Sequence, residues 1–222
     1  MEVRYVYVDS PFWRAEIGRI ALFVGNIDFE DTRISNEEFF RARESGRLDD
    51  GTLIPYRQLP CLTIDGQSIA QTGAISRVCG KLGGLYPGDD LVRSALVDQV
   101  IDMATDITNL VGPINTEKDE EQRKQRRLKL VATALPEKIS YVEEQLERDG
   151  REWFVGESMT IADIAMWRLF GWLTSGMIDY FPTSLLGPYT NLCRLCNKVS
   201  EHPKVSEWVK RKYPKDYLLG NF

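Results

Sequence analysis

The segment IPYRQLPCLTIDGQSIAQTGAIS, residues 54–76, carries three signals in close succession. A short apolar run, Cys61–Ile64, is preceded by Pro60. Asp65 and Gly66 then form a hairpin signal between that run and a second short strand pattern at 67–70. Gln71 and Thr72 open a helical pattern over 72–82, closed by Gly83 and Gly84. A proline lacks the ladder donor, so it belongs at a strand start or an edge. A plain strand-initiating Pro60 and a cis Leu59–Pro60 bond both satisfy that rule. A kink there turns the Leu59 N–H and C=O outward, where an extended peptide can pair with them. The start of a helix offers free N–H groups and a partial positive charge, a natural carboxylate site. Thr72 either caps that helix or hydrogen-bonds such a carboxylate.

Upstream, VRYVYV at 3–8 is rich in β-branched and aromatic residues and predicts a strand. Asp9, Ser10 and Pro11 break it. From Trp13 the period changes, with Ile17, Ile20, Ala21 and Val24 at helical spacing before Gly25 and Asn26. A second strand is expected over 27–35, then a weak helix and a loop across 36–53. The first module is therefore βαβ, loop, ββα over residues 1–84. LYPGDD at 85–90 is a turn-rich linker. Residues 91–222 are expected to be all helical, with runs at 91–110, 122–148, 161–173, 189–200 and 203–212. The fold class is α/β followed by all-α.

Composition removes several functions. The 222 residues are 43% hydrophobic and 27% charged with a net charge of -5, against a nucleic-acid binder's basic face. The basic run at 123–129 follows an acidic run at 117–121, the pattern of a solvated helix face. No apolar run approaches the roughly 18 residues of a membrane span. The start, MEVRYVYVDS, lacks the charged and apolar regions of a signal peptide, so a cytoplasmic chain is expected. Cys61, Cys79, Cys193 and Cys196 do not form a disulfide framework. Cys193 and Cys196 have a redox or zinc spacing but lie in a helical pattern without a second ligand pair, so no metal is expected. His202 is the sole histidine, which argues against Ser-His or Cys-His machinery.

A strand-end tyrosine, RAE at 14–16, QLP at 58–60, AQTGAI at 70–75 and FVGESMTIADIAMWRLFGWL at 154–173 occur in one order. Together they resemble the cytosolic glutathione transferases, closest to the sigma-like class, across essentially the whole chain. The resemblance implies a thioredoxin-like first domain and a helical-bundle second one. GESMTIADIAMW is similar to the family's buried capping box, in which Thr160 caps, Asp163 reaches back from the third helical position and Met159 staples onto Ile164. That segment is structural rather than catalytic.

Glutathione as co-substrate follows from the resemblance. Leu59 and Pro60 would hold its cysteinyl backbone, with Gln58 and Arg14 alongside. Gln71 and Thr72 would grip the γ-glutamyl end, which Asp98 of the partner subunit also reaches, so a homodimer is implied. Phe39 and Arg43 fall where the family contacts the glycyl end. Tyr7 is the expected catalytic residue. Its phenol would hydrogen-bond the bound thiolate, and a charge-assisted bond of roughly 1.5–3 kcal/mol lowers a thiol pKa by about one to two units from about 8.5. The anion then attacks an electrophilic carbon. Phe12, Trp13, Met103 and Ile107 are expected at the electrophile site, with Tyr217 or Phe222 as further candidates.

Two departures from the family pattern stand out. VDSPFW, between Tyr7 and RAE, is one residue longer than usual and has Trp13 in place of a glycine. Ser10 is therefore a rival donor, where serine-type transferases keep their hydroxyl. ESGRLDDGTL at 44–53 lengthens the next loop and leaves the register at Phe39 and Arg43 open. Three functions fit the resemblance: a detoxifying transferase acting on hydrophobic electrophiles, a prostaglandin-D-synthase-like isomerase, and a non-catalytic ligandin or crystallin-like binding protein. A thioredoxin-type reductase does not, because VDSPFWRAE holds no cysteine to exchange.

Overall fold

The structure, a computed structural model, describes residues 1–222 except for the side chain of Asp149. The chain divides into two compact units, Met1–Gly88 and Asp89–Phe222.

The first unit contains β1 (Val3–Val8), α1 (Trp13–Val24), β2 (Glu30–Ile34), α2 (Asn36–Ser45), β3 (Cys61–Ile64), β4 (Gln67–Ala70) and α3 (Thr72–Leu82). Its sheet runs β2-β1-β3-β4. β1 pairs parallel to β2 and antiparallel to β3, and β3 pairs antiparallel to β4. The pleat separates the residues of β1 onto two faces. Val6 joins Ile34, Ala42, Leu48, Ile54 and Cys61 in one core cluster, with Val8, Phe39 and Leu59 packed against it. Tyr5, on the opposite face, donates to the Arg14 carbonyl of α1 at 3.4 Å. β2 is shorter than the 27–35 expected. The reason is local: Ile27 N–H donates back to the Leu22 carbonyl, and Asn26 takes a left-handed φ of 55°, so the chain is still closing α1 there.

α1 and α3 approach closely through glycines. A Cβ built on Gly83 falls 2.2 Å from the Ala21 carbonyl oxygen, and one on Gly25 falls 2.3 Å from the Gly83 Cα. Backbone cannot yield as a flexible side chain does. Gly83→Ala is expected to cost about 2–3 kcal/mol, measured as a lower urea midpoint, whereas Gly88→Ala, which meets open space, leaves the midpoint unchanged.

The second unit contains α4 (Leu91–Asn115), α5 (Glu120–Ala132), α6 (Ala134–Asp149), α7 (Ile161–Thr174), α8 (Thr190–Glu201) and α9 (Pro203–Lys212). The single helix expected over 122–148 is two helices. Thr133 departs from helical geometry with φ −133° and ψ −93°. Pro136 follows in the first turn of α6, where its missing N–H is tolerated but its ring excludes a continuous helix upstream. α7 is the central helix: Ile161 through Gly171 are all buried, the all-round burial of an interior helix. Its start carries the expected capping box. Asp163 Oδ2 accepts from the Thr160 N–H at 2.6 Å and from its hydroxyl at 2.8 Å, while Oδ1 accepts from the Phe154 N–H at 2.9 Å. Met159 and Ile164 are both buried.

Candidate functional site

The sheet register gathers three of the expected residues at one end of the first unit. Val6 of β1 pairs with Cys61, and Cys61 pairs with Ala70. One step further along that register are Tyr7 on β1, Pro60 before β3 and Gln71 after β4. Leu59 lies outside the ladder, which begins at Cys61. The Leu59–Pro60 peptide is cis. Gln58 is exposed beside it.

Gln71 is the N-cap of α3 yet makes no side-chain capping bond, and its φ is 74° with ψ 123°. A left-handed φ on a non-glycine residue is strained, and such strain gathers where a backbone must face a ligand. The amide of Gln71 is exposed. Thr72 does not cap the helix: it is the first residue of α3 and is buried, with its carbonyl accepting from the Ser76 hydroxyl at 2.6 Å. Of its two sequence readings, capping is therefore excluded.

Tyr7 is half-buried, and among the described residues none hydrogen-bonds its hydroxyl. Burial pushes the phenol up to about 12, against the opposing pull of the Arg14 and Arg19 cations. It is therefore protonated at neutral pH and available as a donor. Burial lowers the Arg14 guanidinium from its ordinary value, and the Tyr7 phenolate form opposes that shift. Ser10, the rival donor, is half-buried and turned tightly, its N–H donating to the Val8 carbonyl at 2.7 Å.

Phe39 and Arg43 share one face of α2, with the guanidinium 5.8 Å from the ring centroid. Arg43 is exposed, and Phe39 packs against the core. Among the electrophile-site candidates, Trp13 and Ile107 are fully buried at 0% exposure. Neither offers surface to a substrate. Trp13 is the first residue of α1 and turns its indole inward, 6.3 Å from the half-buried Phe12 ring. In the second unit, Met103 is half-buried and lines a cavity of about 320 Å³ with Gln99, Val100, Tyr141 and Met166. Asp98, also on α4, is half-buried. All four cysteines are free, and burial raises their thiols above the ordinary range, which makes them neutral and poor nucleophiles. Among the described residues, no three His, Cys, Asp or Glu side chains group as metal ligands.

Sequence reasoning missed the charges behind Tyr7. Glu16 and Arg19 of α1 are fully buried, and Asp31 and Arg33 of β2 join them. The available signal was a Glu and an Arg one turn apart on the same helix face as Ile20.

Comparison with known proteins bears on the fold that carries these residues. The family model "Glutathione S-transferase, C-terminal domain" matches residues 105–212. Hematopoietic prostaglandin D synthase of Homo sapiens is 28% identical over 200 residues, covering 90% of this chain and 91% of that protein. S-crystallin SL11 of Nototodarus sloanii is 26% identical over 205 residues, with 90% and 91% covered. The crystal structure of the glutathione S-transferase from Ascaris lumbricoides superposes with a TM-score of 0.78 at 26% identity, over 98% of this chain and all of that one. Residues 105–212 thus match the glutathione transferase C-terminal domain, and the chain as a whole is similar to glutathione transferases in sequence and fold. That likeness agrees with the four-stranded mixed sheet in the first unit and the buried capping box that starts α7 in the second, as the resemblance implied.

Proposed function

We propose that this chain binds glutathione at the sheet end formed by Tyr7, Pro60 and Gln71 and conjugates its thiolate to hydrophobic electrophiles. The observation that carries this reading is the Tyr7 hydroxyl, protonated at neutral pH and hydrogen-bonded to no described group. It is free to donate to a sulfur. The backbone of Leu59, outside the ladder, pairs with the cysteinyl segment of the tripeptide. The γ-glutamyl carboxylate meets the start of α3, where Gln71 and Thr72 and the helix N–H groups supply donors. Arg14 adds positive charge near the thiol. Arg43, with Phe39, takes the glycyl end. In a homodimer, Asp98 of the second subunit meets the γ-glutamyl amine. Of the electrophile-site candidates, Phe12 in the first unit and Met103 in the second each keep exposed surface. The reaction takes place in the cytoplasm, serves detoxification and needs no metal.

Retention on immobilised glutathione, followed by turnover of a chloronitroaromatic substrate, tests the reading. Binding without turnover sinks the transferase assignment in favour of a crystallin-like binding protein. The prostaglandin D synthase relative motivates a second reading, a glutathione-dependent isomerisation of an endoperoxide, which an endoperoxide screen separates from conjugation. Gln71→Gly dissects the γ-glutamyl contact. Glycine accepts a φ of 74° without strain, so stability holds or rises by up to ~1 kcal/mol. Loss of the amide lowers glutathione affinity about tenfold, read by calorimetric titration.

A further inference from the structure

α1 turns apolar residues inward, yet two of its fully buried side chains are charged: Glu16 and Arg19, both at 0% exposure. A buried guanidinium needs close partners to offset its desolvation. Those of Arg19 converge on one place. Its Nη1 donates to Glu16 Oε1 at 3.0 Å and to the Ser10 carbonyl at 3.4 Å. Its Nε lies 2.7 Å from Asp31 Oδ1. Its guanidinium stands 5.7 Å from the Tyr5 ring centroid and 5.9 Å from that of Tyr7. Asp31 is in turn paired with Arg33 at 3.0 Å, and Arg33 reaches Asp9 at 2.9 Å. Arg33 is also the register partner of Tyr7 across β1 and β2. One cation thus touches the ring of Tyr7, the loop that follows it and the strand beside it.

We infer that Arg19 is a positioning residue for Tyr7: it holds the ring and the β1–α1 loop in place, and its charge over the ring strengthens the hydroxyl as a donor. The inference rests on Tyr7 being the donor to the thiol. It also supplies a reason why the longer loop need not displace that tyrosine. Ser10 carries the slack in a turn closed at its N–H by Val8 and at its carbonyl by Arg19. The charges facing Tyr7 act in both directions. Arg14 and Arg19 favour loss of the phenolic proton and Glu16 opposes it. Asp31 and Arg33 lie one contact further out, and Cys79 of α3 faces Tyr5 rather than Tyr7.

The sign of each charge makes the idea testable with glutathione itself as the probe. The thiolate's ultraviolet absorbance is titrated against pH in the glutathione complexes of wild type, Arg19→Met, Arg19→Lys and Glu16→Gln. A cation lost from the ring weakens the donor, so the midpoint of Arg19→Met rises by about one pH unit and kcat falls about tenfold. KM for glutathione stays within about twofold, because the tripeptide's own contacts remain. Arg19→Lys falls between the two. Glu16→Gln removes the opposing charge and moves the midpoint downward, a direction that general loosening of the fold does not produce. Circular dichroism checks that each variant is folded, and Glu16→Gln decides the matter alone if neither Arg19 variant folds. A depressed wild-type midpoint left unmoved by the folded variants overturns the inference and spares the role of Tyr7. A wild-type complex with no depressed thiol overturns both.

Discussion

Replacing Tyr7 by phenylalanine is expected to slow conjugation by about 10- to 100-fold while leaving the fold and glutathione affinity nearly untouched. The rate follows from one hydrogen bond to an anion, worth roughly 1.5–3 kcal/mol. The fold is spared because among the described residues none depends on that hydroxyl. The pH profile should move as well. With the phenol near 12, wild type is expected to donate across the whole neutral range and to hold the bound thiol below its free value. Reactive thiolate is then expected above a lowered midpoint. In Tyr7→Phe the acid limb of the rate profile shifts upward, toward about 8.5. Rate measurements from pH 5.5 to 9 on Tyr7→Phe and Ser10→Ala decide between the two hydroxyls. Full activity in the first together with loss in the second would transfer the role to Ser10.

The second large effect is on stability. Asp163→Ala orphans three buried donors at once: the N–H of Phe154, and the N–H and hydroxyl of Thr160. The expected loss is about 3–5 kcal/mol, a large share of the ~5–15 kcal/mol that stabilises a typical domain. A urea midpoint far below wild type, or failure to accumulate as folded protein, is the expected result. An Ala variant within about 1 kcal/mol of wild type would mean that water replaces the carboxylate. The same residue gives a pH signature. Burial pushes its carboxyl from 3.8 up to about 6, partly opposed by the bonds from Phe154 and Thr160. Because the folded value lies above the unfolded one, the protonated form favours the fold. This group's contribution is fully present below about pH 4, declines through pH 4–6 and is gone above that. Asp163→Asn, which cannot titrate, should flatten that part of the stability curve. Urea midpoints at pH 4.5 and 7 read the difference directly.

Short-range signals were the ones the sequence displayed openly. The β-branched and aromatic content of VRYVYV, the Asp65-Gly66 turn, the helical run ended by Gly83 and the Thr160–Asp163 capping box each depend on residues within a few positions. A local pattern is enough to specify them. The divided helix was half visible: Pro136 was there to be read, but the basic and apolar spacing on either side looked continuous. Tyr7, Pro60 and Gln71 could be named from the order of motifs. The register that sets them at one sheet end needed β1 to pair between β2 and β3, with partners 26 and 55 to 61 positions away in the chain.

What the sequence determined by itself was most of the elements, their order and the family's motifs, because backbone preference and apolar period are properties of neighbouring residues. The tertiary structure decided the rest. It held Gln71 at a left-handed φ, denied Thr72 the cap, sealed Trp13 inside and buried Glu16 and Arg19 together behind a tyrosine. Each of these outcomes balances a local cost, strain or desolvation, against packing and pairing with residues distant in the chain. No local window of sequence contains that balance.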